Sequence, residues 1–385
     1  MKIGIEGNPL FSFSGNLNGI GQFAKYLIEA SADEEPSINF EIVRMLMPHR
    51  KFTPPLKSHS NISYRVVRWL PPIFYYQSFK RLGWAPPYDK IALRKYDLFI
   101  FFNFVTYPLS KNTKSILFIY DLSFIHYGQY SSPKNKAYME KFVPKSIDKA
   151  TKIVTISKFA KNEICEYYGI PSKQVSIVNP AVDHDIFYPR DRKSIEEIKK
   201  KYKINQDYIL CVCTIEPRKN LIGILNAYEK LSDDLNMNYT LVLAGGKGWL
   251  DEEIDSKIKK MSSSLNIIKT GYVPDEDLPV LYSGAEVFVF PSFYEGFGMP
   301  PLESMACGVP VITSDNSSLP EVVGDAGIMI KADNTVALSK EITRVLTDRV
   351  LHESLRKKGL DRSRQFSWNK SAEVLLDLIK QTTQK

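Results

Sequence analysis

Cysteine and histidine are scarce in this chain of 385 residues, which contains four cysteines and five histidines. Cys211 and Cys213 share one face of an apolar strand, and the histidines lie far apart, so no HExxH motif or Cys/His set supplies metal ligands. These absences argue against a disulfide framework and a structural zinc site. We expect reduced thiols in the core and no bound structural metal.

Long hydrophobic runs and targeting signals are also lacking. The richest apolar run, LFIFFNFVTYPL from Leu98, is interrupted and falls short of the ~18 apolar residues of a membrane span, which favours a buried parallel strand. The N-terminal MKIGIEGNP is typical of a strand and turn, not of a secretion signal. Neither GxxxxGKS/T nor GxSxG occurs, which disfavours nucleoside triphosphatases and serine hydrolases. We expect a cytoplasmic protein, soluble or in peripheral contact with the inner face of the cell membrane.

Acidic residues are nearly absent between Ile42 and Lys95, where eleven lysines and arginines accompany a single acid, Asp89. Part of this window, from Arg65 to Tyr88, mixes cations with aromatic rings: Arg65, Arg68, Lys80, Arg81, Trp69, Tyr75, Tyr76 and Trp84. Such a mixture suits an anionic membrane surface or a lipid diphosphate, and a solvated loop and helix surface is the alternative. No nucleic-acid-binding motif accompanies the charge, so we expect no nucleic acid partner.

Apolar, β-branched runs alternate with helical stretches along the whole chain. The first half contains KIGIEG, DLFIFFNF, KSILFIYD, KIVTIS and VSIVN, and the second YILCVCTI, YTLVLAGG, NIIKTGY, EVFVFPS, GVPVITSD and AGIMI. This alternation is typical of parallel βαβ units, and the length suits two domains of about 180 residues. We predict an α/β protein of two doubly wound domains, divided between Asn179 and Ser194, where proline and charge are frequent.

The segment from Phe290 to Glu321 carries two carboxylates, Glu295 and Glu303, with seven residues between them across a glycine-rich turn. The strand VFVFPS precedes Glu295, and the run PPLESMAC predicts a helix that contains Glu303 and begins near its two prolines. Carboxylates accept hydrogen bonds from sugar and ribose hydroxyls. The spacing therefore suggests a sugar-nucleotide site, and a capping or turn arrangement is the alternative.

This segment resembles the retaining glycosyltransferases of family 4, whose E-x7-E motif Glu295 and Glu303 match. Similarity extends to MKIGIEGNPL with the following Gly19-Ile20-Gly21, to CVCTIEPRKNL, LVLAGGKGW and TGYVPDEDLPVLYSGAEVFVFPS, and to the terminal FSWNKSAEVLL, so it covers nearly the whole chain. The resemblance implies a GT-B fold, in which two Rossmann-like domains face a cleft. Residues 1–182 would bind the acceptor and residues 183–360 the donor, and a C-terminal helix within 361–385 would pack back on the first domain.

The resemblance also implies the roles of the donor-site residues. Glu295 would hold the sugar hydroxyls, Glu303 the ribose, and Arg218 with Lys219 the diphosphate. Many family members carry an additional basic residue where this chain has Thr214, which places more weight on Arg218. The remaining donor-site candidates are backbone or neighbouring positions: Gly19, Gly21, Gly271, Tyr272, Val273, Gly296, Phe297 and Gly298.

Tyr120-Asp121 stands where the family usually has His-Asp. In relatives that histidine contacts the transferred sugar. Here Tyr120 and the nearby His126 are the candidates to replace it on the acceptor side, and Asp121 is the candidate for a catalytic polar role.

These features predict a hexosyltransferase of the mannosyl- or rhamnosyltransferase type, active in surface polysaccharide biosynthesis. It would move a sugar from a nucleotide donor to a glycan or a polyprenyl-diphosphate-linked glycan, with retention of configuration and without metal or cofactor. Two D-x-D triplets, at 183–185 and 275–277, are interpreted as structural. A GT-B sugar-phosphate epimerase or phosphorylase and a non-catalytic sugar-nucleotide-binding protein remain the alternatives.

Overall fold

A computed structural model describes residues 1–11, 17–47, 49–130, 132–235, 239–248 and 252–384. The chain forms two compact units. The first unit comprises Met1–Ile125, Pro133–Pro180 and Trp368–Lys385, and the second comprises His126–Ser132 and Ala181–Ser367. The boundary between the two units thus lies between residues 180 and 181, within the proline-rich stretch. The sequence analysis placed this boundary between residues 182 and 183.

The first unit is built on a parallel sheet of seven strands in the order β3-β2-β1-β4-β5-β6-β7. Its strands are β1 Lys2–Glu6, β2 Asn39–Met45, β3 Ile62–Val67, β4 Leu98–Phe101, β5 Lys114–Phe118, β6 Lys152–Thr155 and β7 Val175–Ile177. Five of them coincide with the predicted apolar runs, but β2 and β3 were not predicted. Glu41 and Arg65 interrupt their apolar pattern, and each finds a partner that the sequence does not reveal. Lys2 pairs with Glu41 at 2.8 Å, and the Arg65 side chain donates to the Ala92 carbonyl at 2.8 Å.

The second unit is built on a parallel sheet of six strands in the order β10-β9-β8-β11-β12-β13. Its strands are β8 Asp207–Val212, β9 Tyr239–Ala244, β10 Ile267–Gly271, β11 Val287–Phe290, β12 Val311–Ser314 and β13 Ile328–Ile330. All six were predicted, because buried parallel strands have long apolar runs. The strand order reverses between β8 and β11 in this unit, and between β1 and β4 in the first. Doubly wound sheets bind ligands at the carboxyl ends of strands beside such reversals.

Helices connect the strands of both units, and a helix ends the chain. They are α1 Gly19–Glu34, α2 Pro72–Leu82, α3 Tyr88–Ile91, α4 Ser123–His126, α5 Pro133–Lys149, α6 Lys158–Tyr168, α7 Arg192–Lys201, α8 Leu221–Leu235, α9 Glu252–Met261, α10 Leu278–Ser283, α11 Met299–Ala306, α12 Leu319–Val323, α13 Thr335–Thr347, α14 Arg349–Ser363 and α15 Trp368–Thr383. Side-chain caps fix where several of them begin. Asn18, for example, accepts a hydrogen bond from the Gly21 amide at 2.9 Å and starts α1. None of the helices that the structure describes is both long enough and apolar enough to cross a membrane.

The C-terminal helix α15 packs on α1 in the first unit, as the resemblance implied. The Trp368 ring stacks on Tyr26 with centroids 5.3 Å apart, and Lys380 pairs with Glu35 at 2.7 Å. The prediction assigned residues 361–367 to this unit as well, and that boundary was wrong. The Arg362 side chain donates to the carbonyls of Val322 and Glu321 at 2.9 and 2.6 Å, which holds the end of α14 in the second unit.

We expect Ile379→Ala to lower the free energy of unfolding by about 2 to 5 kcal/mol, because Ile379 is fully buried on α15 and its loss leaves a cavity. Urea denaturation followed by circular dichroism measures the change. Glu373→Ala, at an exposed position of the same helix, is the control and should stay within about 0.5 kcal/mol of wild type. Equal stability of the two variants would contradict the docking of α15.

Candidate active site

Two cations and a carboxylate meet at the strand-order reversal of the second unit. Arg218 and Lys219 follow β8 in a turn of 3₁₀ helix, and Glu295 follows the neighbouring β11. The Lys219 ammonium lies 2.6 Å from Glu295 Oε1, and the Arg218 guanidinium lies 3.4 Å from Oε2. The Glu295 side chain is only 11% exposed. The structure therefore brings Glu295 together with two adjacent cations that lie more than seventy positions before it in the sequence.

Arg218 has a second carboxylate partner, Glu216, at 2.6 Å. It also donates to the Tyr294 carbonyl at 2.6 Å, which fixes its guanidinium against the loop that carries Glu295. Asn220 ends the cationic turn in the left-handed conformation, with φ of +57°, and its amide donates to the carbonyls of Pro291 and Ala332. Two cations are thus balanced by two carboxylates on a turn that is anchored to the neighbouring strands.

Four serine side chains hold the loop from 292 to 298. Ser292 donates to Glu295 Oε1 at 2.6 Å, and Ser317 accepts from the Glu295 amide at 3.0 Å. Ser318 donates to the carbonyls of Glu295 and Phe297 at 2.8 and 2.7 Å, and Ser314 donates to the Ser292 carbonyl at 2.5 Å. Sequence reasoning missed these residues. For Ser314, Ser317 and Ser318, the polar run SDNSS, which overlaps the end of the predicted strand GVPVITSD, was the available signal.

The charge state of Glu295 is set by two opposing effects. Burial disfavours the carboxylate, but the positive charges of Lys219 and Arg218 outweigh it and lower the pKa of Glu295 below its ordinary value. Hydrogen bonds from Lys219 and Ser292 act in the same direction. Glu295 is therefore ionised at neutral pH and can only accept hydrogen bonds.

Glu303 lies in α11 in very different surroundings. Gly298 precedes the helix with φ of +117°, a conformation that other residues rarely adopt, so the motif's last glycine lets the chain turn into α11. The Tyr282 hydroxyl donates to Glu303 Oε2 at 2.9 Å. Burial raises the pKa of Glu303 to about 7, and no cation of the described residues lowers it. Tyr282 was not predicted, and nothing in its sequence position indicates this contact.

Gly271, Tyr272 and Val273 lie at the carboxyl end of the edge strand β10. Gly271 has φ of +71°, the Tyr272 ring is 55% exposed, and Val273 is buried. Among these three predicted donor-site residues, Tyr272 thus offers an accessible aromatic surface. It lies in the same unit as Glu295 and Glu303.

The three acceptor-side candidates, Tyr120, Asp121 and His126, differ in burial and in their contacts. Tyr120 is buried in the core of the first unit, where its hydroxyl donates to the Phe102 carbonyl at 2.8 Å, so its placement gives it a packing role. Asp121 Oδ1 accepts from the Ser123 amide at 2.9 Å and caps the short helix α4. His126 is exposed and belongs to the second unit, where its ring lies 6.1 Å from that of Tyr294.

The two glycines of the predicted N-terminal loop lie in the first turn of α1. A Cβ at Gly21 would lie 2.4 Å from the Pro9 carbonyl oxygen, so glycine is needed there for close packing of α1. A Cβ at Gly19 would have no atom of the described residues within 4 Å. Of the two glycines, Gly19 therefore has no packing requirement from the part of the chain that the structure describes.

The D-x-D triplets have structural partners. Asp277 accepts from Lys201 and Tyr202, each at 2.6 Å, and Asp183 accepts from the Asp185 amide at 3.0 Å. Within the described ranges, no group of three or more His, Cys, Asp or Glu residues could hold a metal ion.

Residues 194–362 match the family Glycosyl transferases group 1, and residues 18–186 match Glycosyltransferase Family 4. The O-antigen chain mannosyltransferase B of Escherichia coli is 38% identical over 278 residues, which are 72% of this chain and 73% of that protein. The serotype-specific mannosyltransferase WbdA of Escherichia coli is 34% identical over 248 residues, which are 62% of this chain but only 30% of WbdA.

Two solved structures have a fold similar to that of this chain. The sucrose-phosphate synthase of Thermosynechococcus elongatus has a TM-score of 0.74 at 19% identity, covering 99% of this chain and 98% of that one. WaaG, a glycosyltransferase involved in lipopolysaccharide biosynthesis, has a TM-score of 0.69 at 15% identity, covering 98% of this chain and 99% of that one. The chain therefore belongs to the glycosyltransferases of family 4 and has their GT-B fold.

Proposed function

We propose that this glycosyltransferase moves a mannosyl residue from a nucleoside-diphosphate sugar to a glycan or polyprenyl-diphosphate-linked glycan in surface polysaccharide biosynthesis. The observation that carries the proposal is the buried contact of Glu295 with Lys219 and Arg218 at the strand-order reversal. Two E. coli relatives whose names describe mannosyltransferases support the sugar. The same relatives favour transfer over a sugar-phosphate epimerase or phosphorylase and over a non-catalytic binding protein.

The cations supply the charge that the departing diphosphate requires. Two positive groups balanced by Glu216 and Glu295 make the site neutral before the donor binds. Lys219 has three N–H donors and Arg218 has five, so each can retain its carboxylate partner and also bind a phosphate oxygen. Preorganised cations of this kind stabilise a leaving diphosphate without a metal ion.

The two carboxylates act at opposite ends of the donor. Glu295 is held as an ionised acceptor for the hydroxyls of the transferred sugar, and Glu303 accepts from the ribose hydroxyls. The exposed Tyr272 ring offers a stacking surface on the nucleotide side. The catalytic step is a front-face attack through an oxocarbenium-like state, so no protein nucleophile is needed and configuration is retained. Asp121 and His126 serve the acceptor side, and His126 lies beside Tyr294, next to Glu295 in the sequence.

A panel of nucleotide sugars assayed in excess EDTA tests the function and the metal independence together. We expect transfer from GDP-mannose to a mannose-terminated acceptor at the same rate with and without EDTA, and an anomeric NMR signal of retained configuration. Activity that EDTA abolishes and magnesium or manganese restores would refute metal independence. Transfer from a different nucleotide sugar alone would refute the mannosyl assignment.

Substitution of Glu295 and substitution of Glu303 should have different effects on turnover and on nucleotide binding. We expect Glu295→Gln to lower kcat by tenfold to a hundredfold, because a hydrogen bond to a charged group contributes about 1.5 to 3 kcal/mol. Binding of the free nucleoside diphosphate should be unchanged or tighter, since the variant leaves the cations with a net positive charge. Glu303→Ala should instead weaken nucleotide binding by a similar factor.

Calorimetric titration with GDP measures these affinities, and Glu253→Ala, at an exposed acid of α9, is the control. The binding of GDP to wild type should also strengthen as pH rises through about 7, because Glu303 becomes a full acceptor only when it loses its proton. Glu303→Ala should remove that dependence. Equal losses of GDP affinity in both carboxylate variants would contradict the assignment.

The peripheral membrane contact is also a proposal, which the structure lets us define by residues. Large apolar side chains at and beside α2 are 59% to 76% exposed: Trp69, Ile73, Phe74, Leu82, Trp84 and Leu93. Exposed cations lie close to them in the sequence: Lys80, Arg81, Lys90, Arg94 and Lys95. We name these residues the α2 surface. Exposed apolar groups accompanied by cations suit an anionic bilayer, where each cation contributes about 1 kcal/mol.

The α2 surface differs from the predicted segment. Tyr75 is buried and packs against Tyr88, so it cannot contact a membrane. Arg65 donates to the Ala92 carbonyl and Arg68 to those of Met47 and Arg50, so both serve the fold. The proposed contact therefore rests on α2, Trp84 and the cations that follow.

We expect the replacement of Lys80, Arg81, Lys90 and Arg94 by Gln to reduce sedimentation with phosphatidylserine vesicles severalfold, because it removes the attraction to anionic lipid. Wild-type binding should weaken as salt rises, since the Debye length shortens. The matched control replaces four exposed lysines of the second unit, Lys193, Lys200, Lys259 and Lys260. The same loss in both variants, or wild-type binding that ignores salt and lipid charge, would contradict a defined surface.

A further inference from the structure

Glu216 uses its side chain to hold the guanidinium of Arg218 in the second unit. It precedes the 3₁₀ turn Pro217–Lys219, and its side chain makes no capping hydrogen bond to that turn. Its Oε1 instead accepts from Arg218 Nη2 at 2.6 Å, and its side chain is only 13% exposed. A half-buried carboxylate is therefore paired with one of the two cations of the candidate site.

The backbone of Arg218 is fixed independently of Glu216. The Arg218 carbonyl accepts from the Phe293 amide at 2.9 Å and from the Ser292 hydroxyl at 3.3 Å. These contacts join the turn to the loop after β11 and do not involve the Glu216 carboxylate. Replacement of Glu216 should therefore change the charge beside the Arg218 guanidinium and leave the chain in place.

The two ends of the Arg218 guanidinium have different partners. Nη1 donates to the Tyr294 carbonyl at 2.6 Å and lies 3.4 Å from Glu295 Oε2, whereas Nη2 donates to Glu216 at 2.6 Å. Of the two carboxylates, Glu216 is thus the nearer one to the guanidinium. A phosphate oxygen that binds this cation must compete with the carboxylate for it, and the two negative charges repel each other.

The charge of the diphosphate changes during the proposed transfer. In the donor, the outer phosphate is esterified by the sugar and carries about one negative charge. In the product, that phosphate is terminal and has a second pKa of about 6, so the nucleoside diphosphate carries about one more negative charge at neutral pH. Fixed cations therefore attract the product more strongly than the donor, and product release limits turnover in many enzymes.

We propose that Glu216 is a positioning residue that competes with the diphosphate for Arg218 and so promotes release of the nucleoside-diphosphate product. This inference rests on the proposed glycosyltransfer and adds the control of product release to it. The carboxylate orients the guanidinium before the donor binds, and its charge offsets part of the attraction that the product's additional charge creates. Glu295 is assigned to the transferred sugar, which leaves Glu216 for this role.

Binding of inorganic diphosphate to the full chain tests the inference without a sugar, a base or a transfer reaction. Calorimetric titrations compare wild type with Glu216→Gln, Glu216→Ala and Glu216→Asp, and with Arg218→Gln alone and combined with Glu216→Gln. The Gln variant removes the charge and keeps an oxygen that can accept from Arg218, whereas the Asp variant keeps the charge. Glu341→Gln is the matched control, because Glu341 is another half-buried carboxylate of the second unit, 17% exposed, whose partner is Arg344 at 3.2 Å.

We expect Glu216→Gln to bind inorganic diphosphate about tenfold more tightly than wild type, since it loses a negative charge beside the ligand. Glu216→Ala should also bind it more tightly, whereas Glu216→Asp and Glu341→Gln should bind it as wild type does. In the Arg218→Gln background, Glu216→Gln should change the affinity by less than about threefold, because no guanidinium remains to compete for.

The dissociation of GDP and the kinetics of transfer show whether tighter binding slows release. GDP should dissociate about tenfold more slowly from Glu216→Gln, and kcat and the donor KM should fall together, so that kcat/KM is retained. A merely structural defect would raise KM or lower kcat/KM. The kcat should fall further in Glu216→Ala, in which the guanidinium loses an acceptor that orients it.

The inference and the mannosyl function can fail separately. UDP replaces GDP as the probe if GDP does not bind, and inorganic diphosphate needs neither base nor sugar. If mannose is not transferred and the affinities for inorganic diphosphate follow the expected pattern, the mannosyl function is refuted and the competition of Glu216 for Arg218 is supported.

Three results would overturn the inference. The first is equal or weaker binding of inorganic diphosphate by Glu216→Gln and Glu216→Ala that circular dichroism shows to be folded. The second is the same gain in affinity in the Arg218→Gln background, which would make Glu216 a general source of negative charge. The third is the same gain in Glu341→Gln, which would make the effect one of net charge alone.

Discussion

The buried ion pair between Glu295 and Lys219 is the interaction on which the second unit's site depends. A carboxylate that is 11% exposed is costly unless cations and hydrogen bonds compensate for lost water. Lys219, Arg218 and Ser292 provide that compensation, and their charges hold the pKa of Glu295 below its ordinary value. Because these partners follow two neighbouring strands, β8 and β11, the parallel pairing of the sheet is itself what assembles the site. The serine side chains around 292–298 then fix the loop so that the pairing is retained.

The two glutamates of one motif differ because, among the residues that the structure describes, Glu295 has cationic partners and Glu303 has none. Glu295 contacts two positive groups and is ionised at neutral pH, whereas Glu303 has the Tyr282 hydroxyl and a raised pKa of about 7. Residues with the same side chain, eight positions apart, are therefore given different proton affinities by their surroundings. In the role that we propose for Glu295, a permanently charged acceptor would suit a sugar that develops positive charge during transfer. In the role that we propose for Glu303, a carboxylate near its midpoint would be adequate for a ribose, which remains neutral.

Much of the fold was predictable, since buried parallel strands are apolar runs that can be recognised in the sequence. The strands β2 and β3 were missed because Glu41 and Arg65 are satisfied by partners that only the tertiary structure provides. For the site, Glu295, Glu303, Arg218 and Lys219 were predicted from the motif and its resemblance to family 4. The pairing of Glu295 with the two cations was not predicted, because the interpretation assigned the cations to the diphosphate and the carboxylate to the sugar. Tyr120 was predicted as an acceptor-side candidate, and its burial could not be predicted, since a tyrosine at a strand end gives no sign of whether it points inward.

The same topological position carries opposite chemistry in the two units. At the reversal of the second sheet lie two cations and two carboxylates, a set that responds to charge and suits a diphosphate donor. At the reversal of the first sheet, hydroxyl, amide and aromatic groups lie around one guanidinium, that of Arg44, and one carboxyl of raised pKa, that of Glu6. Parallel sheets fix where side chains converge but not which side chains they are. Two sheets of the same topology can therefore carry different charge at the same position through the residues that follow their strands.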